Sequence, residues 1–205
     1  MTKLAKEIYQ TDGITLAKRL LGCRLVHETP EGRCGGIIVE TEAYMGLVDD
    51  AAHSWRGKPE GRVNVQYGPG GFAYIYLIYG MHSCMNVVAN APGVPEAVLI
   101  RALMPDEGIP LMRARRPKAK SDRQLCSGPG KLCAALAITR AQYGLDLTGD
   151  TLWIEDRAAE PPSITASPRI GVEYAKECGQ NFWRFTITND PWVSIRPHPE
   201  RSNHL

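Results

Sequence analysis

Residues 71–88 read GFAYIYLIYGMHSCMNVV, and this stretch decides how the chain folds. Two runs of strand-forming residues flank a short polar break, Tyr-Gly-Met-His, at residues 79–82. A glycine in a short break between two such runs is typical of a hairpin turn. The pattern therefore predicts a protruding β-hairpin with Tyr79 at its tip. An aromatic ring held in water on a rigid tip costs stability, so its presence there indicates a function. Insertion into a stack of bases is one such function.

Two carboxylates lie upstream in the segment VETEAY at residues 39–44. On a strand, Glu40 and Glu42 share a face with Cβ atoms about 7 Å apart. Like charges at this range raise at least one pKa, which suits general acid–base chemistry, whereas the alternative is a plain ion pair with a basic neighbour. Tyr44 falls on the same face, so an aromatic plane lies beside an acid, as a flat leaving base requires.

The composition limits the class of protein. The chain has 205 residues, 43% of them hydrophobic, which is enough for one well-buried domain spanning residues 1–205, with a tail at 197–205 expected to fray. A net charge of +2 argues against a histone-like polycation but does not exclude a DNA-binding protein with one basic face.

Cysteine use and the N-terminus indicate the compartment. The six cysteines include no C-x-x-C pair and several lie in apolar runs, so we expect reduced core thiols rather than a disulfide framework. The first residues, MTKLAKE, lack the apolar core of a signal peptide, and no apolar run approaches the ~20 residues that span a bilayer. We expect a cytoplasmic protein, nucleoid-associated if prokaryotic, without a membrane partner.

The order of elements predicts an α+β fold, a mixed domain around an antiparallel sheet. Thr11 or Asp12 caps a helix that Gly22 ends, and Ser127 caps a second helix. Residues 106–116 are weakly helical, with prolines limiting them, and residues 45–70 form a long loop. Besides the hairpin, strands are expected at residues 23–28, 35–44, 96–103, 151–155 and 182–188, with a short one at 191–195.

Several polar residues have two interpretations. Arg101 interrupts the apolar run AVLIRAL, where it forms a buried ion pair or positions an anion or a water. Asn86 either satisfies backbone groups or lines a pocket. His53, in the long loop, is by itself more typical of a surface residue, and the five histidines show no metal-ligand spacing, so no metal is assigned.

Two basic features suggest contacts with phosphate. The residues between 113 and 123 include six basic side chains and one acid, which is typical of a solvated face or a phosphate anchor. The sequence GPGK at residues 128–131 begins a helix, where free N–H groups can bind phosphate.

Together, these segments resemble the alkyladenine (3-methyladenine) DNA glycosylase family over residues 8–196. The resemblance rests on the order and combination of nine short motifs. They are IVETEAYMG (38–46), DDAAHS (49–54), YIYLIYGM (74–81), CMN (84–86), LIRAL (99–103), LCSGP (125–129), KLC (131–133), PRIGV (168–172) and PWVS (191–194). The resemblance implies one mixed α/β domain around a curved antiparallel sheet, with the hairpin on the DNA-binding face.

The resemblance also implies the catalytic residues. Glu42 matches the acid that activates water, Arg101 matches the arginine that helps hold that water, and Ile170 matches the position whose main-chain carbonyl contacts it. Neither a metal nor a cofactor is implied, and without a lysine beside Glu42 in the sequence, no strand cleavage is expected.

The substrate-binding residues follow in the same way. Tyr44 matches one wall of the base pocket, and His53 and Tyr76 match the other. The backbone N–H of His53 would read the exocyclic position of a purine. Asn86 matches the residue whose amide opposes the 2-amino group of guanine.

The DNA contacts are implied at two further places. Tyr79 matches the wedge that fills the gap left by a flipped nucleotide, with Met81 beside it as a further substrate contact. Lys131 matches a residue near the DNA backbone. The stretch 55–68 departs from the family pattern, with Gln66-Tyr67 where a Met-Phe-like pair is expected. We expect this departure to affect the phosphate contacts and the range of lesions more than the reaction itself.

The implied enzyme is a monomeric, monofunctional glycosylase that releases 3-methyladenine, 7-methylguanine, hypoxanthine or etheno-adducts from double-stranded DNA and leaves an abasic site. Two rivals remain. A sugar-processing hydrolase would use Glu40 and Glu42 as its acid pair and gives Tyr79 no role. A non-catalytic protein that binds damaged DNA would bind a lesion equally tightly after loss of the Glu42 charge.

Overall fold

The structure, a computed structural model, describes residues 2–157 and 160–205, so the expected domain is described except for residues 1, 158 and 159. Within these ranges nine strands form one antiparallel sheet. They are β1 (Arg24–Thr29), β2 (Gly32–Tyr44), β3 (Ala73–Ile78), β4 (His82–Ala89), β5 (Glu96–Glu107), β6 (Leu152–Glu155), β7 (Ile164–Ser167), β8 (Arg184–Ile187) and β9 (Asn203–His204). The α-helices are α1 (Gly13–Leu20), α2 (Ile109–Arg115) and α3 (Pro129–Ala135).

Strand β2 is the centre of the sheet because it pairs with three neighbours. The main order is β3-β4-β5-β2-β8-β7-β9, and β1 joins β2 to β6. The β2–β5 register shifts on both sides of Glu40, and such irregularities bend a strand. At Gly36 a Cβ would lie 2.7 Å from the carbonyl oxygen of Met104, so only glycine permits this approach of β5. The curved antiparallel sheet and the α+β class are therefore confirmed.

Helix α1 forms where its sequence predicts. The Asp12 carboxylate accepts hydrogen bonds from the backbone N–H groups of Ile14 and Thr15, both at 3.0 Å, and so caps the first turn. Leu16, Ala17 and Leu20 face the core and are fully buried. Thr41 Oγ1 also donates to the Ala17 carbonyl at 2.9 Å, which fixes the helix against β2.

Several predicted boundaries were wrong. Helix α3 begins at Pro129 with Gly128, not Ser127, as its N-cap, and no side chain caps it. Pro110 lies in the first turn of α2 rather than limiting that helix, since proline needs no amide hydrogen bond there. Strand β7 was missed, and residues 191–195 form turns and bends instead of a strand. In the tail, β9 pairs with β7.

A large cluster of buried apolar side chains joins the helices to one face of the sheet, including Leu16, Ile38, Met85 and Phe185. All six cysteines are free, and five of them are buried, as expected for core thiols. None of the helices in the described ranges is long and apolar enough to cross a membrane.

The predicted hairpin is formed by β3 and β4. Tyr79 and Gly80 both have positive φ, 52° and 68°, the pattern of the turn that matches strand twist in tight hairpins. Tyr79 is 84% exposed and Met81 is 72% exposed. The tip therefore holds two large apolar side chains in water.

Candidate active site

Glu42 lies on strand β2 with none of its surface exposed. Its Oε1 accepts a hydrogen bond from the Ile170 backbone N–H at 2.7 Å. Its Oε2 accepts from the Tyr44 hydroxyl at 3.1 Å and from Arg101 Nη1 at 3.3 Å. A carboxylate offers about four lone-pair sites, so these partners orient the group and leave acceptor capacity on Oε1.

Glu40 is a structural partner of the same arginine. Its Oε1 accepts from Arg101 Nε and from Arg184 Nε, each at 2.9 Å, and its Oε2 accepts from the Ser194 backbone N–H at 2.7 Å. Burial alone would raise the pKa of Glu40, but the charges of Arg184 and Arg101 lower it below its usual value. At Glu40 the attraction of the two arginines therefore outweighs the effect of burial, as in the plain ion pair that was the alternative expectation.

Arg101 has both a buried polar partner and a place in the cavity lining. It is 7% exposed and forms ion pairs with Glu40 and Glu42, so it is a buried ion-pair residue. It also lines the cavity above Glu42. The same is true of Asn86, which donates to the Tyr74 carbonyl at 3.1 Å and lines the cavity.

The cavity has a volume of about 570 Å³ and lies over one face of the sheet. Strand alternation explains its lining, because residues two apart share a face. The lining residues that follow this alternation are Tyr44, Tyr74, Tyr76, Cys84, Asn86, Ala97, Leu99 and Arg101, and Leu77 and Ile78 also line the cavity from the end of β3. Glu42 is not itself a lining residue, but its carboxylate hydrogen-bonds to three residues that are: Tyr44, Arg101 and Ile170.

His53 forms an aromatic wall with two tyrosines of β3. Its ring lies edge-on to the Tyr76 ring, with centroids 4.5 Å apart, and its Nδ1 is 2.8 Å from the Tyr74 hydroxyl. Although the side chain is open to the cavity, desolvation and then the charge of Arg62 lower the pKa of His53 to about 4. Burial raises the pKa of Tyr74 to about 12, and it also raises those of Tyr44 and Tyr76 well above their usual value. The walls are therefore uncharged at neutral pH.

The segment with the divergent sequence contributes to this cavity. Residues Gly61–Tyr67 form a 3₁₀ helix within the stretch predicted as a long loop. Arg62 and the buried Gln66 line the cavity from this helix, and a hydrogen bond from Gln66 favours the ionised form of Tyr74. Gln66, which differs from the family pattern, thus places a polar side chain in the cavity lining.

The other predicted residues lie around the cavity rim or outside it. Tyr79 lines the cavity from the hairpin tip, whereas Met81 and Lys131 do not. Lys131 Nζ donates to Ser127 Oγ at 3.5 Å, next to Pro129, which does line the cavity. In the basic run, Arg115 pairs with Glu31 and Arg113 with Asp122, so part of that run has internal partners.

A buried ion pair that the sequence reasoning missed connects two cavity loops. Arg169 donates to Asp49 at 2.6 and 2.8 Å, and both side chains are fully buried. Arg169 Nη1 also donates to the Ala43 carbonyl at 3.0 Å, and its guanidinium lies 4.6 Å from the Tyr44 ring centroid. The motifs DDAAHS and PRIGV contain both residues, but only their proximity in the fold reveals the pair.

One group of side chains has the spacing of a metal site. Ligand atoms of Asp49, Asp50 and Cys178 lie within 4.8 Å of one another. Both Asp49 oxygens already accept hydrogen bonds from Arg169, so this group lacks a free ligand set.

Comparison with known proteins identifies the family. The family model described as methylpurine-DNA glycosylase (MPG) matches residues 7–191. A protein of Clostridium acetobutylicum is 46% identical over 200 residues, covering 94% of this chain and 98% of its own length. Proteins of Desulfitobacterium hafniense and Methanocella arvoryzae are 44% and 46% identical, each covering 96% of this chain and 100% and 98% of their own lengths. All three are named "Putative 3-methyladenine DNA glycosylase".

The chain therefore belongs to the methylpurine-DNA glycosylase family. It is a DNA glycosylase, and the resemblance inferred from its motifs is confirmed.

The first prediction concerns the titration of His53. An unfolded histidine binds a proton near pH 6.5, whereas folded His53 binds one only near pH 4. Because the unfolded state then holds more protons, stability is complete above about pH 6.5 and falls as the pH drops toward 4. We expect NMR titration to give a pKa near 4 and His53→Gln to flatten this part of the stability profile. A pKa above 6 would contradict the described environment.

The second prediction concerns Asp49. Asp49→Asn leaves the Arg169 charge buried without its partner, so we expect a loss of about 3–5 kcal/mol in the free energy of unfolding. The double variant Asp49→Leu/Arg169→Met removes both charges and should recover most of that loss. Urea unfolding measures both.

The matched control is Asp150→Asn, which breaks the pair with Lys3 at a carboxylate that is 98% exposed. It should change the free energy of unfolding far less than Asp49→Asn does, because water screens an exposed ion pair. An equal effect at Asp49 and Asp150 would show that the buried pair has no special role.

Proposed function

We propose that the protein excises alkylated or deaminated purines from double-stranded DNA by hydrolysis of the N-glycosidic bond, leaving an abasic site. The observation that supports this most strongly is the position of Glu42. Its carboxylate is held by residues that line a cavity with aromatic walls, with Arg101 on one oxygen and the Ile170 N–H on the other. The names of the relatives support 3-methyladenine as one substrate.

The cavity suits a flat base turned out of the duplex. A purine placed between Tyr44 on one side and His53 and Tyr76 on the other contacts uncharged aromatic faces. A cationic methylated purine gains about 1–2 kcal/mol of cation–π energy from them. Because the pKa of His53 is lowered to about 4, the ring does not repel this cation at neutral pH. Hypoxanthine and etheno-adducts have the same flat shape and are substrates in this proposal.

Asn86 provides a basis for rejecting guanine. Its Nδ2 donates to the Tyr74 carbonyl, which fixes the amide in the cavity wall. A normal guanine would bring its 2-amino group against this amide and leave polar groups unpaired, which is unfavourable in a buried site.

The chemistry proceeds from the ionised Glu42. The carboxylate accepts a proton from a water molecule as the water oxygen bonds to C1′, and the C1′–N bond breaks with its electron pair passing to the purine. The negative charge of Glu42 also stabilises the positive charge that develops on the sugar. Arg101 and the Ile170 backbone hold the carboxylate, and the Ile170 carbonyl is proposed as a further contact of the water. No metal or cofactor takes part in these steps.

Tyr79 is proposed as the wedge that occupies the gap left by the flipped nucleotide, with Met81 beside it. The exposed tip supports this role, because both side chains are available to a duplex. Lys131 is proposed to contact the DNA backbone. We further propose that the chain acts as one domain and as a monomer, and that it leaves the strand uncut, since the contacts described for Glu42 include no lysine.

The structure disfavours the sugar-processing rival. That mechanism needs one carboxyl of the pair to donate a proton, but the charges of Arg184 and Arg101 lower the pKa of Glu40 below its usual value and make it a poor general acid. The rival that binds damage without catalysis is separated from our proposal by the following experiment.

The third prediction is that Glu42→Gln abolishes release of hypoxanthine or methylated purines from duplex DNA and spares DNA binding. The amide is close to the same size but cannot accept the proton from water. Base release is measured in single turnover, and binding by gel shift. Glu7→Gln, at an exposed glutamate, is the matched control and should retain wild-type release. Turnover by Glu42→Gln would refute the assignment, and no release by the wild type would favour the binder.

The fourth prediction is that Tyr79→Ala lowers the excision rate of a stably paired lesion roughly 10-fold or more, because the flipped state loses its wedge. The same lesion in single-stranded DNA needs no wedge and should be excised at nearly the wild-type rate. Equal rates for variant and wild type on the paired lesion would contradict this role.

A further inference from the structure

A second exposed aromatic side chain lies at the cavity and has no role in the mechanism above. Tyr174 is 71% exposed, and it lines the same cavity as Tyr44 and Tyr76. It belongs to the loop that follows Ile170, whereas Tyr79 belongs to the hairpin. The cavity mouth therefore has an exposed tyrosine from each of two separate segments.

The loop that contains Tyr174 is anchored on both sides of it. Before Tyr174, the Ile170 N–H binds Glu42 and Arg169 pairs with Asp49. After it, the Lys176 N–H donates to Asp50 at 2.9 Å. A ring on such a loop loses little further conformational entropy when it binds a ligand, which favours a binding role.

Apolar packing beneath the ring adds to this anchoring. Val172 and Ala175, on either side of Tyr174, are buried against Ala51, and Tyr44 packs against the same cluster. The Tyr174 hydroxyl lies 3.4 Å from the Ala51 carbonyl, a long hydrogen bond that leaves the ring itself in solvent. The ring is thus oriented from below but has an open surface at the cavity.

We propose that Tyr174 is a substrate-binding residue that contacts the extrahelical purine at the cavity rim and retains it outside the duplex. An aromatic ring gains stacking energy from any base, so this contact strengthens capture without selecting the lesion. The inference rests on the proposed function and deepens it, because it assigns a second retaining contact on a segment separate from the one that carries the wedge.

The test measures binding to a damaged duplex that cannot react. A 2′-fluoro substituent on the sugar of the hypoxanthine nucleotide destabilises the positively charged transition state, so the wild-type protein can be used without cleavage. Tyr174→Ala is expected to raise the Kd of this duplex roughly 10-fold, as loss of one base–aromatic stack does. Tyr174→Phe keeps the ring and should bind as the wild type does.

Two further duplexes locate the contact. If Tyr174 contacts the purine, Tyr174→Ala leaves the Kd unchanged for undamaged DNA and for a duplex with a tetrahydrofuran abasic analogue, which lacks a base. Val48→Ala, at a residue that is 75% exposed and outside the cavity lining, is the matched control and should change no Kd.

The outcomes are decisive. An unchanged Kd of the damaged duplex for Tyr174→Ala overturns the inference, and so does an equal loss of binding on all three duplexes, which would show a contact with the DNA backbone. Failure of the proposed function is seen separately, because the wild-type protein would then release no base from the unmodified hypoxanthine duplex.

Discussion

The site depends on one guanidinium that is shared between two buried carboxylates. Arg101 binds Glu40 through Nε and Glu42 through Nη1, and all three side chains have little or no exposure. Buried charges are tolerated only when they are paired and hydrogen-bonded. Arg184 supplies the second positive charge by pairing with Glu40, so two carboxylates face two guanidinium groups. The network therefore holds the Glu42 carboxylate in one orientation through an ion pair and hydrogen bonds to both of its oxygens.

The loops around the cavity are joined to this network by buried polar contacts. Ile170 reaches Glu42 through its backbone N–H, and its neighbour Arg169 joins Asp49 and the Tyr44 ring. Ser194 reaches Glu40 through its backbone N–H, and Arg184 donates to the Ile195 carbonyl. Irregular segments distant in the sequence thus have defined positions beside β2. This preorganisation is what a site needs if its groups are to act without rearrangement.

The local parts of the fold could be predicted from the sequence, and the long-range ones could not. The hairpin, helix α1 and the strand containing Glu40 and Glu42 follow from short patterns of apolar residues, caps and turns. By contrast, Asp49 and Arg169 are 120 residues apart, and no periodicity links them. Glu40 and Glu42 look equivalent in sequence. They differ in the structure because the fold brings Arg184 and Ser194 to Glu40. Residues 191–195 have the composition of a strand, but the Ser194 N–H binds a carboxylate instead of a neighbouring strand.

The most direct test of this account is a crystal structure with a duplex that contains a 2′-fluoro hypoxanthine nucleotide. The quantity to measure is the position of C1′ relative to the Glu42 carboxylate. The account predicts the purine between Tyr44 and His53, with a water in contact with Glu42 and about 3–3.5 Å from C1′. A purine bound outside the cavity, or a C1′ that faces Glu40 or no carboxylate, would contradict it.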